Sequence, residues 1–174
     1  MKKSLLILLI AVLAIGMAGV AVYTGMFSGG QNLPPGNNTN PDIKTFQVVD
    51  GPVETISGKP VIRLFSTTWC PHCQWIKSTF DRVAKEYADA GKIVAYHWEL
   101  DTKDNTLTSE KETAVPQSEQ AVFQKFNPQG SIPTFVFGGK YYRIGNGYEQ
   151  EQDLQLEAKE FRAVIEELIR EANS

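Results

Sequence analysis

Two cysteines three residues apart, Cys70 and Cys73, constrain the fold and chemistry of this chain more than any other feature. They are the only cysteines among its 174 residues. The largely apolar run Val61–Phe65 before them indicates a buried strand. Apolar side chains at helical spacing follow, as far as about Ala90. The pair therefore lies where a strand passes into the first turn of a helix.

The start of a helix favours a negative charge on the first sulfur, because unpaired backbone N–H groups and the helix dipole point toward it. Cys70 is then the attacking and leaving thiolate of disulfide exchange, and Cys73, one turn further in, resolves the mixed disulfide. We expect Cys70 to be exposed and Cys73 buried. Pro71 suits an early helical position, since it has no N–H to leave unsatisfied. His72, when protonated, stabilises the thiolate further.

A structural disulfide or a metal site is the alternative interpretation of the cysteine pair. So short a disulfide loop adds little stability. The only histidine besides His72 is His97, so a zinc site would need carboxylate ligands. We therefore expect no metal and no cofactor other than a redox-active Cys70–Cys73 disulfide.

The charge balance argues against a nucleic-acid partner. The chain has 17 Lys and Arg against 20 Asp and Glu, a net charge of -3, and no basic stripe. Binding to phosphates needs clustered Lys and Arg. We therefore predict no nucleic acid among its partners.

The N-terminal residues 1–27 predict a membrane anchor. Lys2 and Lys3 precede an apolar run, 5–27, which as a helix is long enough to cross a hydrocarbon core of ~30 Å. The two lysines place the rest of the chain on the outer side of the membrane. A cleaved signal peptide is the alternative, since residues 18–21 are small. Both interpretations give an extracytoplasmic catalytic domain.

Residues 28–44 are mostly Gly, Asn, Pro, Gln and Thr, which predicts a flexible linker. The folded domain is expected over 45–174, in the order β-β-α-β-α-β-β-α. Its predicted strands are 46–49, 61–65, 93–100, 134–137 and 141–144, the last two forming a hairpin. The predicted helices follow Cys70, begin at Pro116 and run over 154–169, and 101–115 is an exposed loop.

The chain resembles the thioredoxin superfamily in two motifs. These are Trp69-Cys70-Pro71-His72-Cys73 and, about sixty residues later, Ile132-Pro133-Thr134. The resemblance covers roughly Thr45–Ser174. It implies a thioredoxin fold of the α/β class, with a mixed central β-sheet flanked by helices, here preceded by the predicted transmembrane helix.

The resemblance also implies roles for individual residues. Pro133 is expected to be cis and to face the cysteines, and the backbone of Ile132 to pair with a substrate strand. Gly145 or Gly147 is similar to the glycine that closes the family's substrate groove, with a plain turn as the alternative.

The residues around the cysteines resemble the disulfide-forming oxidases of the DsbA type in their Pro-His dipeptide, and Trp69, Pro71 and His72 are expected to tune the pair. The large helical insertion of those oxidases is missing, since only about thirty residues separate Asp101 from Pro133. Leu64 stands where thioredoxins have a buried Asp, and His97 where they have its Lys partner. His97 is thus either a proton relay under Cys73 or a packed strand residue.

Arg63 lies in the predicted central strand, and a buried charge needs a partner. Glu99 on the neighbouring strand is the candidate that the sequence offers. No functional role is predicted for this arginine.

These observations predict an extracytoplasmic thiol–disulfide oxidoreductase that forms or exchanges disulfides in exported, cysteine-containing proteins. Its expected redox partner is a membrane protein, either a quinone-linked oxidase or an electron-delivering reductase. One alternative is a membrane-anchored reductase that keeps exported or haem-attachment thiols reduced. Alternatives of another class are a non-catalytic thioredoxin-like binding module and a metal chaperone.

Overall fold

The structure, a computed structural model, describes Leu33 and residues 35–174. The predicted membrane anchor, 1–27, lies outside the described residues. Among the residues that are described, no helix is both long and apolar enough to cross a membrane.

The compact unit begins at Leu33, ahead of the domain boundary predicted at Thr45. Pro35 forms a β-bridge with Val49, and the side chain of Ile43 is buried in the main core. Part of the predicted linker 28–44 therefore packs on the domain, because even one large apolar side chain in a polar stretch can anchor it.

A mixed β-sheet forms the centre of the domain. Its strands are β1 (Gln47–Val48), β2 (Thr55–Ile56), β3 (Lys59–Ser66), β4 (Val94–Glu99), β5 (Asp104–Asn105), β6 (Thr134–Phe137) and β7 (Tyr141–Ile144). The strand order is β1-β7-β6-β3-β4-β5, with β2 paired to β3. Strands β3 and β4 are parallel and the other pairs are antiparallel. This confirms the predicted mixed sheet.

Three described helices flank the sheet: α1 (Pro71–Asp89), α2 (Gln117–Phe126) and α3 (Leu154–Ala172). Helices α1 and α3 enclose the main core, where Phe80 and Phe161 pack on Phe135 and Phe137. A second cluster under α2 includes Phe65. Residues of β3 alternate between these two layers, as the pleat of a strand requires.

Two short strands were not predicted. Strand β2 turns into β3 through Ser57 and Gly58, both with positive φ (52° and 76°). Strand β5 lies inside the predicted loop 101–115, where the Asn105 side chain accepts a hydrogen bond from the His97 backbone N–H. Neither two-residue strand has enough length to show an alternating apolar pattern.

The predicted pairing of Arg63 with Glu99 is wrong. Arg63 Nη2 lies 2.6 Å from Glu54 Oε1, and Arg63 Nε lies 2.7 Å from Glu119 Oε2. Glu99 is in register with Ser66, three positions along from Arg63, and so points to the opposite face of the sheet. Burial lowers the pKa of Arg63, but hydrogen bonding to the two carboxylates outweighs burial and raises the pKa above its ordinary value.

Candidate active site

The cysteine pair lies at the N-terminus of α1, directly after β3. Cys70 is the N-cap residue, and its Sγ accepts a hydrogen bond of 3.3 Å from the backbone N–H of Cys73. Pro71 occupies the first helical position, as predicted. An oxidised or ionised Cys70 sulfur would therefore meet a backbone donor at the positive end of a helix.

The loop before β6 closes the site from the other side. The Ile132–Pro133 peptide bond is cis, as the resemblance implied. The Cys70 Sγ lies 3.9 Å from the Ile132 carbonyl oxygen. The structure thus brings together the cysteines and the cis-proline, although about sixty residues separate them in the chain.

Both cysteines are buried free thiols, so the predicted contrast in exposure is wrong. Cys70 is 4% exposed and Cys73 is 1% exposed. Trp69, beside them, is 68% exposed. The two thiols are distinguished by their surroundings instead.

Burial is the largest cause of the raised pKa of Cys73, which reaches about 12. The hydrogen bond with Cys70 and the charges of Cys70 and Asp101 act in the same direction. Cys73 therefore remains protonated at neutral pH.

Asp101 was not predicted as a site residue. It accepts a hydrogen bond of 3.1 Å from the Thr68 backbone N–H and another from the Thr68 hydroxyl. Burial opposes its ionisation, but these hydrogen bonds outweigh it and lower the pKa of Asp101. The carboxylate is therefore a fixed negative charge, and it contributes to the raised pKa of Cys73.

His72 is exposed and has a partner that the sequence did not reveal. Its Nδ1 lies 2.9 Å from both carboxylate oxygens of Glu149, in the loop between β7 and α3. Asn146 Nδ2 donates to the His72 carbonyl (3.0 Å) and to Glu149 Oε2 (2.8 Å). His72 is more than seventy positions from Asn146 and Glu149, and no local pattern links it to them.

His97 is buried beneath α1, with partners other than the cysteines. Its Nδ1 lies 2.6 Å from Asp81 Oδ1 and its Nε2 lies 2.7 Å from Ser66 Oγ. Thr106 Oγ1 lies 2.9 Å from the same Nδ1. Since a carboxylate only accepts, Nδ1 donates to Asp81. Both ring nitrogens are thus engaged, which favours the packed strand residue over the relay.

The two predicted glycines lie in different surroundings. Gly145 has a positive φ (83°), and its N–H donates to the Pro133 carbonyl at 2.8 Å, so it adjoins the cis-proline. A Cβ on Gly147 would come within 2.5 Å of Arg143 Nη1. The Gly147 N–H donates to Glu157, which pairs with Arg143 in a buried cluster. Gly145 thus belongs to the site by contact, and Gly147 to the charge cluster behind it.

Comparison with known proteins places the fold in a family. Residues 55–162 match the model of the thioredoxin-like domain. A thioredoxin of Geodia cydonium is 31% identical over 74 residues, which cover 42% of this chain and 67% of that protein. The family match covers more than half of this chain.

Two further similarities were found. The bloodstream-specific protein 2 of Trypanosoma brucei brucei is 38% identical over 95 residues, 53% of this chain. The match spans only 17% of the length of that protein. Among solved structures, the oxidoreductase NmDsbA1 of N. meningitidis has a TM-score of 0.49 at 14% identity, over 75% of this chain and 95% of that one.

Proposed function

The chain belongs to the thioredoxin-like family, and we propose that it forms or exchanges disulfides in exported proteins through Cys70 and Cys73. The observation that carries the proposal is the position of Cys70. Its sulfur caps α1, accepts the Cys73 N–H and lies against the carbonyl of the residue before a cis-proline. The neighbouring backbone of Ile132 is the proposed pairing edge for an extended substrate segment.

Disulfide donation to a substrate takes two exchange steps. A substrate thiolate attacks Cys70 Sγ of the oxidised pair, the Cys70–Cys73 bond breaks, and Cys73 leaves as a thiolate that takes up a proton. A second substrate thiolate then attacks the substrate sulfur of the mixed disulfide and releases Cys70 as a thiolate. The substrate loses two electrons and the pair gains them. A membrane redox partner that accepts electrons, such as a quinone-linked oxidase, would restore the disulfide.

The surroundings of Cys73 favour this direction. Burial, most of all, and the nearby Asp101 charge raise its pKa to about 12, which slows both its departure as a thiolate and its attack on a mixed disulfide. Reduction of a substrate requires loss of the Cys73 proton. Leu64 offers no carboxylate to accept that proton, and His97 is engaged by Ser66 and Asp81. The lack of a proton acceptor at these two positions would therefore slow the resolving step more than the donation of a disulfide.

A reductase that keeps exported thiols reduced is the second candidate. The pairing of His72 with Glu149 favours it, because the carboxylate offsets the positive charge expected to stabilise the Cys70 thiolate.

The extracytoplasmic location and the membrane partner rest on the apolar residues 5–27. Finding a mature N-terminus between Ala18 and Ser28 would replace the anchor with a cleaved signal peptide.

Exchange with an unfolded protein tests the proposed chemistry. The oxidised protein is mixed with a reduced, unfolded polypeptide containing cysteines, and loss of substrate thiols is followed over time. The parent should oxidise the substrate, whereas Cys70→Ser should not. Cys73→Ser, given a substrate that already has a disulfide, should accumulate a stable mixed disulfide through Cys70.

Three outcomes would contradict the proposal in different ways. Exchange by Cys70→Ser at the parent rate would show that Cys70 is not the nucleophile. A parent that only reduces disulfides would establish the reductase. A parent that binds the polypeptide without any thiol chemistry would establish a binding module.

A further inference from the structure

We propose that Glu149 is the counter-ion of His72 and thereby limits the oxidising strength of the Cys70–Cys73 pair. The inference rests on the proposed function, because it concerns the same redox pair. It assigns a tuning role to a residue outside the CxxC motif, in a loop that contributes no cysteine.

The contact between the two residues is direct. His72 Nδ1 lies 2.9 Å from Glu149 Oε1 and 2.9 Å from Oε2, so a single ring nitrogen faces both carboxylate oxygens. A carboxylate only accepts hydrogen bonds, and His72 therefore donates through Nδ1. The side chain of His72 is 64% exposed and that of Glu149 is 27% exposed. Solvent thus weakens the pair without removing it.

Hydrogen bonds hold the loop that carries Glu149 to two parts of the site, the cis-proline and the dipeptide between the cysteines. The Gly145 N–H donates to the Pro133 carbonyl at 2.8 Å. Asn146 Nδ2 donates to the His72 carbonyl at 3.0 Å and to Glu149 Oε2 at 2.8 Å. One segment therefore joins the cis-proline to the dipeptide between the cysteines. These contacts hold the carboxylate at the imidazole.

The charge of the carboxylate acts against the thiolate. A protonated His72 stabilises the Cys70 thiolate, hence the reduced form, and so raises the reduction potential. Glu149 adds one negative charge beside that cation and cancels part of its field at Cys70. The protein is then a weaker oxidant than the Pro-His dipeptide alone would make it.

Equilibration with a glutathione redox buffer tests the inference. The parent and Glu149→Gln are compared at low ionic strength and about pH 6, where a histidine side chain is normally protonated. Glutamine keeps an acceptor for Nδ1 but removes the charge. We expect the equilibrium constant to shift about twofold toward the reduced form, the size expected of one solvent-screened charge.

Two further variants separate a local charge effect from other causes. Glu151→Gln removes the same charge from an exposed position in the same loop and should leave the equilibrium constant at the parent value. Glu149→Asp retains the charge and should remain close to the parent. An unchanged constant in Glu149→Gln, a shift toward the oxidised form, or an equal shift in Glu151→Gln would overturn the inference.

The same experiment distinguishes this inference from the proposed function. A parent that forms no Cys70–Cys73 disulfide in the glutathione buffer contradicts the proposed function itself. A parent that cycles normally, with Glu149→Gln indistinguishable from it, contradicts only the role of Glu149.

Discussion

The N-terminus of α1 and its inner side each hold one cysteine and one histidine, in different surroundings. At the N-terminus, Cys70 caps the helix and the exposed His72 faces Glu149. On the inner side, Cys73 and His97 are almost completely buried. His97 there is held by hydrogen bonds on both ring nitrogens. The same two residue types therefore occupy two different environments.

The two environments indicate different roles for the residues at the start of α1 and for those on its inner side. The exposed His72 and its partner Glu149 set the charge near Cys70. A histidine with two fixed partners in the interior mainly stabilises the packing of α1 on the sheet. Likewise, the Cys70 thiol at the start of the helix is suited to attack, and the Cys73 thiol, with its raised pKa, keeps its proton until it resolves the mixed disulfide.

The largest expected effect is a difference in protein stability between substitutions of the two histidines. His97→Leu leaves the buried Ser66 hydroxyl and the Asp81 carboxylate without their shared partner. We expect it to lower the free energy of unfolding by about 2–4 kcal/mol, the cost of stranding buried polar groups. His72→Leu, at an exposed position, should change it by less than ~0.5 kcal/mol. Urea unfolding of the reduced variants measures both changes in free energy. Similar losses of stability in the two variants would show that the two histidines do not differ in this way.

The second effect is a loss of protein stability at alkaline pH that comes from the Cys73 thiol. Folding raises the pKa of this thiol to about 12, mainly through burial. The folded state therefore binds the proton more tightly than the unfolded chain, whose cysteine has a pKa of ~8.5. The resulting stability is fully present below about pH 8.5 and is lost as the pH rises toward 12.

We expect the reduced parent to lose on the order of 2 kcal/mol by about pH 10 from this thiol. Cys73→Ala lacks the thiol and should lose correspondingly less over the same range. Tyr141 and Tyr148, whose pKa values burial raises to about 12, contribute equally to both proteins. Parallel stability curves for the two proteins between pH 8 and pH 10 would show that folding leaves the Cys73 thiol unperturbed.

The smallest of these effects concerns the reduction potential. The parent is expected between thioredoxin at ~−270 mV and DsbA at ~−120 mV. His72→Pro removes the charge at the start of α1 and should lower the potential by up to ~30 mV, equivalent to ~1.4 kcal/mol. His97→Gln, on the inner side, should leave it unchanged. A parent value at or below that of thioredoxin, or no fall in His72→Pro, would make the reductase the better account.

Much of the fold was predictable because its elements have strong local patterns. The central strand, the β6–β7 hairpin and the long amphipathic α3 each show their period in the sequence. The cis-proline came from the resemblance and is confirmed. The two-residue strands β2 and β5 have no period to detect.

The contacts that the sequence did not reveal join distant residues. Arg63 pairs with Glu54 and Glu119 on the face of the sheet away from Glu99, a choice decided by strand register. The contact between His72 and Glu149 depends on the path of the β7–α3 loop. Glutamates occur throughout the chain, and only the folded structure selects the ones that meet Arg63 and His72.

Brief alkylation of the reduced protein tests the division between Cys70 and Cys73 most directly. Iodoacetamide is added for a short time at neutral pH, the reaction is stopped, and the modified cysteine is identified by peptide mass spectrometry. Thiolates react and thiols do not, and the raised pKa of Cys73 keeps it protonated. We expect Cys70 to be modified first, with Cys73 modified only after unfolding. Modification of Cys73 before Cys70 in the folded protein would contradict this expectation.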